Sequence, residues 1–85
     1  NMPENPSYAS TYAFSLYLQK QYAEALKVMQ KLTPKQLNDP SIAGYYGLIL
    51  KATGDNAKAQ SYLGWALKGK LLPEEQKLFQ QAQSH

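Results

Sequence analysis

The chain has 85 residues, no cysteine, and nine basic against six acidic side chains, a net charge of +3. That length holds one small domain burying only roughly 60% of its unfolded surface, and the lack of cysteine excludes disulfides and thiolate metal sites. No apolar run approaches the roughly 20 residues needed to cross a bilayer, which argues against membrane insertion, and the N-terminus lacks the basic-then-apolar pattern of a signal peptide.

Taken in order, residues 1–4 form a polar lead-in expected to be disordered. Asn5 is placed to cap a helix opened by Pro6, because an Asn side chain can accept from free first-turn N–H groups and proline there sacrifices no helical bond. Ala9, Tyr12, Ala13 and Leu16 recur at helical spacing and predict a helix over 6–19. Lys20-Gln21 is the turn. A second helix over 22–32 follows through Tyr22, Ala25, Leu26, Met29 and Leu32, and so short a turn makes the two helices antiparallel neighbours.

Thr33-Pro34-Lys35-Gln36 has the form of a capped helix start, with Thr as cap and Gln three residues on. Asp39-Pro40 comes too soon after it for more than a turn or so of helix, so 33–38 reads as an ordered connection. Asp39 and Pro40 then repeat the cap-then-proline device and open a helix over 40–52. Thr53-Gly54-Asp55 stops it, glycine supplying the left-handed conformation that ends helices cheaply. Either Asp55 or Asn56 caps the next helix, which runs to about Lys68 through Ala59, Tyr62, Leu63, Ala66 and Leu67. Pro73-Glu74-Glu75 opens a last helix with acids in the first turn, where the helix dipole favours them; its apolar set is Leu78, Phe79 and Ala82.

The first four long helices are two copies of one unit. Asn5-Pro6-Ser7-Tyr8-Ala9 lies over Asp39-Pro40-Ser41-Ile42-Ala43 at an offset of 34 residues, and without a gap Tyr12 falls on Tyr46, Leu16 on Leu50, Ala23 on Ala57 and Ala25 on Ala59. The unit resembles the tetratricopeptide repeat, a helix–turn–helix of this length with apolar and small residues at fixed offsets. Its slots hold Ala9, Tyr12-Ala13, Leu16, Ala25, Met29 and Leu37 in the first copy. In the second they hold Ala43, Tyr46-Gly47, Leu50, Ala59, Leu63 and Leu71. Alanine stands in both tryptophan slots and leucine in both proline slots.

The resemblance implies an all-α chain of about five helices, antiparallel helix–turn–helix repeats forming a fragment of a right-handed α-solenoid. Residues 5–38 are the first repeat, 39–72 the second, and 73–85 a terminal covering helix and tail. The last helix is not a third copy, because the slots of Tyr46 and Gly47 fall there on Gln80 and Gln81. About three repeats are usually needed for stability, so either the pair is part of a longer array or something else covers its open ends.

Nothing in the sequence points to an enzyme. The one histidine is His85, the last residue. Glu74 and Glu75 are adjacent, about 100° apart on a helix, and do not share a site. No phosphate loop, metal-spaced cluster or nucleophile with a nearby base is present, and no cofactor is implied. All nine basic residues are lysines, spread from Lys20 to Lys77, with no arginine to read phosphates or base edges. That pattern argues against nucleic acid and for a solvated surface.

In tetratricopeptide domains the first helix of each repeat lines a concave groove that receives a peptide or partner helix. The offsets that face it map to Ser7, Ser10, Thr11, Phe14, Tyr17 and Leu18, and to Ser41, Gly44, Tyr45, Leu48, Lys51 and Ala52. Members that clamp a terminal carboxylate use Lys, Asn or Arg at several of these slots; Ser10, Phe14, Ser41 and Tyr45 replace them here. The resemblance therefore implies a non-catalytic protein-interaction module whose groove, with Lys51 its one charge, suits an apolar amphipathic helix. Self-association into a homodimer, or packing against a neighbouring domain, uses the same apolar surface and is the first alternative; weak nucleic-acid binding by a basic helical repeat, marked by strong salt dependence, is the second. Tyr12 and Tyr46 are expected in the core, and Trp65 beneath the terminal helix, the alternative being an exposed anchor for association.

Overall fold

The protein's structure, a computed structural model, describes residues 6–84; the lead-in, the Asn5 cap and His85 lie outside the described residues. Among these there are six helices and no strand: α1 Pro6–Leu18, α2 Tyr22–Gln30, α3 Pro34–Leu37, α4 Pro40–Ala52, α5 Asn56–Leu67 and α6 Pro73–Ser84. The additional element is the connection, where Thr33 and Gln36 form the expected reciprocal cap. Gln36 N donates to Thr33 Oγ1 at 3.2 Å and Thr33 N to Gln36 Oε1 at 2.9 Å. This cap also explains why α2 stops at Gln30. Pro34 disfavours a helical residue before it, and the chain tightens through Lys31 N to Val28 O and Leu32 N to Met29 O.

The two long hairpins close in the same way. After α1, Lys20 takes a left-handed φ of 65°, and Gln21 N donates to Leu16 O at 2.9 Å. The same event recurs 34 residues on, with Gly54 at φ 97° and Asp55 N donating to Leu50 O at 2.9 Å. Glycine adopts that conformation freely, whereas a side chain there costs about 1 kcal/mol or more. Helix starts differ too. The Asp39 carboxylate accepts from Ser41 N and Ile42 N. Asp55 rather than Asn56 caps α5, accepting from Lys58 N at 3.3 Å, while Gln21 makes no side-chain cap to α2.

Helix α4 is the shared element. Eight of its residues are buried, because it has neighbours on both sides. On one side Ile42, Tyr46, Ile49 and Leu50 join Ala13, Leu16, Ala25, Met29 and Leu37 of the first hairpin. On the other, Ala43 and Leu48 join Leu63, Ala66 and Phe79. The α4–α5 crossing is close: a Cβ on Gly47 would stand 2.8 Å from Leu63 Cγ and 3.2 Å from the Ala59 carbonyl oxygen. Only a side-chain-free residue lets the two backbones approach so far.

That asymmetry corrects one expectation. Tyr46 is in the core, 6% exposed and edge-on to Tyr62, but Tyr12 is 55% exposed. The two occupy the same slot; α4 has the first hairpin packed over this face, whereas among the described residues no helix covers the corresponding face of α1.

A candidate groove lined by aromatic rings

The site is assembled where α1, α4 and α6 lie side by side. Phe79 of α6 is fully buried and seated on Gly44, where an added Cβ would fall 2.1 Å from the ring. A glycine in the middle of a helix costs roughly 0.5–1 kcal/mol relative to alanine; here the missing side chain is the seat of the ring. Glu75, one turn earlier, fixes the start of α6 to α4. Its Oε1 accepts from Ser41 Oγ at 3.0 Å and from Leu72 N at 3.2 Å, and its Oε2 accepts from Tyr45 Oη at 3.1 Å. At the far end Lys51 Nζ donates to the Ala82 carbonyl, and Gln60 Nε2 to the Gln83 carbonyl at 3.3 Å. A cation at a helix C-terminus meets the negative end of its dipole, so Lys51 closes α6 rather than standing as a separate charge in the groove.

A row of rings crosses these helices. Tyr22 lies 5.5 Å from Tyr17, Tyr17 5.7 Å from Phe14, Phe14 4.7 Å from Tyr45, and Tyr45 5.3 Å edge-on from Phe79. Offset and edge-to-face contacts at such separations add about 0.5–1.5 kcal/mol each beyond area burial. All but Phe79 are half-buried. Burial, then the hydrogen bond to Glu75, then the nearby Glu75 and Glu74 carboxylates push the Tyr45 phenol up to about 12. Burial and Tyr22 raise that of Tyr17. Both hydroxyls are therefore neutral donors near neutral pH.

Beside the row is a depression of about 380 Å³, lined by Tyr17 of α1, Leu48, Lys51 and Ala52 of α4, and Leu78, Gln81 and Ala82 of α6. The structure thus brings Tyr17, Leu48 and Lys51 around one hollow, with Phe14 and Tyr45 joined through their rings. Ser10 is buried at the helix interface, and Leu48 forms the floor rather than a rim. Leu18 is exposed and does not line the hollow. Ser41 and Gly44 are covered by α6.

In the sequence Glu75 is a first-turn acid favoured by the helix dipole, with no sign of its role as a shared acceptor. Ser41 is 34 residues from Glu75 and Tyr45 is 30, so no local pattern announces the contact. Glycine at 44, in an otherwise favourable helix, was the available signal for a close approach. Trp65 is also corrected. It is 51% exposed and donates its indole N–H to the Asn38 carbonyl at 2.7 Å, beside Pro40 and Gly69. It braces the α3–α4 connection against α5 instead of lying beneath α6, held there by the Asn38 carbonyl that accepts its N–H.

Among the described residues no group of three or more His, Cys, Asp or Glu is placed to hold a metal ion, and no helix is long and apolar enough to cross a membrane. Compared with known proteins, the chain matches no family model, no curated protein and no solved structure.

Proposed function

We propose that the chain is a non-catalytic protein-interaction module of the tetratricopeptide type, which takes an apolar helical segment of a partner in the groove beside its aromatic row. The observation that carries this reading is the hollow bordered by Tyr17 and floored by Leu48, with the half-buried Phe14 and Tyr45 continuing from Tyr17 as a row of touching rings. Held in place by one another and by Glu75, these rings lose little conformational freedom on contact, and ordering entropy is a main cost of association. Aromatic side chains in such positions are also the residue types that dominate interface energetics.

The chemistry of the lining states what the partner carries. The hollow offers aliphatic and aromatic area, and its one cation is already directed at the Ala82 carbonyl. A stripe of leucine and alanine at helical spacing fits it, and charge contributes little. Binding is accordingly salt-insensitive. Nucleic acid held by scattered lysines would instead weaken steeply with salt, by about 0.9 log units per log unit of salt for each phosphate neutralised.

The test is fluorescence anisotropy with a labelled synthetic helix bearing leucine and alanine on one face and glutamine on the other. Saturable binding, unchanged between low and high salt and weakened about tenfold by Phe14→Ala or Tyr17→Ala, is the expected result. No binding at millimolar protein, or binding indifferent to both substitutions, would remove the groove from the account.

A further inference from the structure

The outer side of the first hairpin carries a separate hollow of about 410 Å³. Tyr8, Ala9 and Tyr12 of α1, Val28 and Lys31 of α2, and the following Leu32 and Gln36 line it. It faces away from the groove, since Tyr12 and Phe14 are two residues apart and so point roughly 200° apart around α1. Helix α1 contains no charged residue at all. Its counterpart α4, whose only charge is Lys51, has eight buried residues.

The chain itself shows what covers such a surface. Ile42 and Tyr46, the counterparts of Tyr8 and Tyr12, are 4% and 6% exposed, packed in one cluster with Ala25 and Met29 of α2 and Leu37 of α3. Tyr8 and Tyr12 are 71% and 55% exposed. The matching occupant for the first hairpin is thus a helix with an Ala/Met/Leu stripe like that of α2. Its flanks follow from charge: residues 6–38 hold Lys20, Lys27, Lys31 and Lys35 against Glu24 alone, and Glu24 lies 4.0 Å from Lys27. Lys31 and Lys35 remain at this end. A second copy meeting here about a twofold axis would bring those lysines together. Its opposite end, α6, presents mainly glutamine, glutamate and lysine outward.

We propose that this hollow is a docking site for an acid-flanked amphipathic helix of a partner protein, distinct from the aromatic groove and independent of its function. The probe is a peptide of residues 21–38 carrying Lys27→Glu, Lys31→Glu and Lys35→Glu, titrated into the ¹⁵N-labelled chain. Expected are amide shifts at Ala9, Tyr12, Val28 and Leu32, tighter binding than the unaltered peptide at low salt, and an affinity loss of about tenfold or more with Tyr12→Asp. Lys31→Glu in the protein serves as a second variant at an exposed position and also weakens the acidic peptide. The proposal is overturned by the absence of shifts at millimolar peptide, or by shifts confined to Phe14, Tyr17 and Leu48. It is equally overturned if sedimentation velocity shows a dimer that Tyr12→Asp dissolves, for then a second copy occupies the face.

Discussion

Replacing Gly44 with alanine detaches the last helix. The new Cβ would lie 2.1, 2.3 and 2.5 Å from three atoms of the Phe79 ring, where carbons prefer about 3.5–4.0 Å. The ring must retreat by well over an ångström. It has nowhere to go within its seat, because Tyr45 lies edge-on at 5.3 Å and the ring is fully enclosed. Losing a buried phenylalanine costs about 3–5 kcal/mol, and the better helix propensity of alanine returns roughly 0.5–1 kcal/mol. The net loss is about 2–4 kcal/mol in the docking of α6. A free helix of 12 residues is marginal in water, so a detached α6 melts. Hydrogen exchange followed by mass spectrometry reads this directly. Amides of 73–84 lose protection in Gly44→Ala while those of α1 and α2 keep theirs, and Phe79→Val added to Gly44→Ala restores part of it. Unchanged protection in α6 with a raised melting temperature would refute the seating of Phe79 on Gly44.

Other consequences follow from the same contacts. Giving the first hairpin the turn of the second, by Lys20→Gly and Gln21→Asp, relieves a left-handed lysine and adds a missing cap; each change stabilises by about 0.5–1 kcal/mol in urea denaturation. Glu75→Ala leaves Ser41, Tyr45 and Leu72 N without their common acceptor and destabilises by about 1–3 kcal/mol, with the loss concentrated in α6 exchange. With its folded value pushed up to about 12 against the ordinary 10, Tyr45 contributes stability that is complete below pH 10 and lost as pH rises from 10 to 12. Tyr45→Phe flattens that alkaline decline and removes the latest-titrating phenol from the absorbance titration near 295 nm.

Element starts and stops were legible because their causes are local. Asp39 with Pro40, Thr33 with Gln36, and Gly54 each act within four residues, and the structure places each where its chemistry required. What the sequence concealed was set by neighbours distant in the chain. Tyr12 and Tyr46 are the same residue in the same slot; only the presence of a hairpin over α4 and not over α1 separates their exposures. Glu75 looks like any first-turn acid until α6 folds back onto α4. Trp65 could be assigned to either side of α5 by pattern, and the choice falls to the Asn38 carbonyl that accepts its N–H. Of the residues that the repeat resemblance assigned to a groove, Tyr17, Leu48 and Lys51 lie around one hollow, whereas Ser41 and Gly44 are covered by α6 and Lys51 is engaged by it, contacts set by a helix far along the chain.

Whether the surface beside the aromatic row takes a partner helix is decided by mapping the bound leucine/alanine helix on the labelled protein by nuclear magnetic resonance. Shifts are expected to gather on Phe14, Tyr17, Tyr45, Leu48 and Leu78, with α2 beyond Tyr22 and the connection around Trp65 unmoved. A bound peptide that leaves those five residues unshifted would contradict the proposed groove.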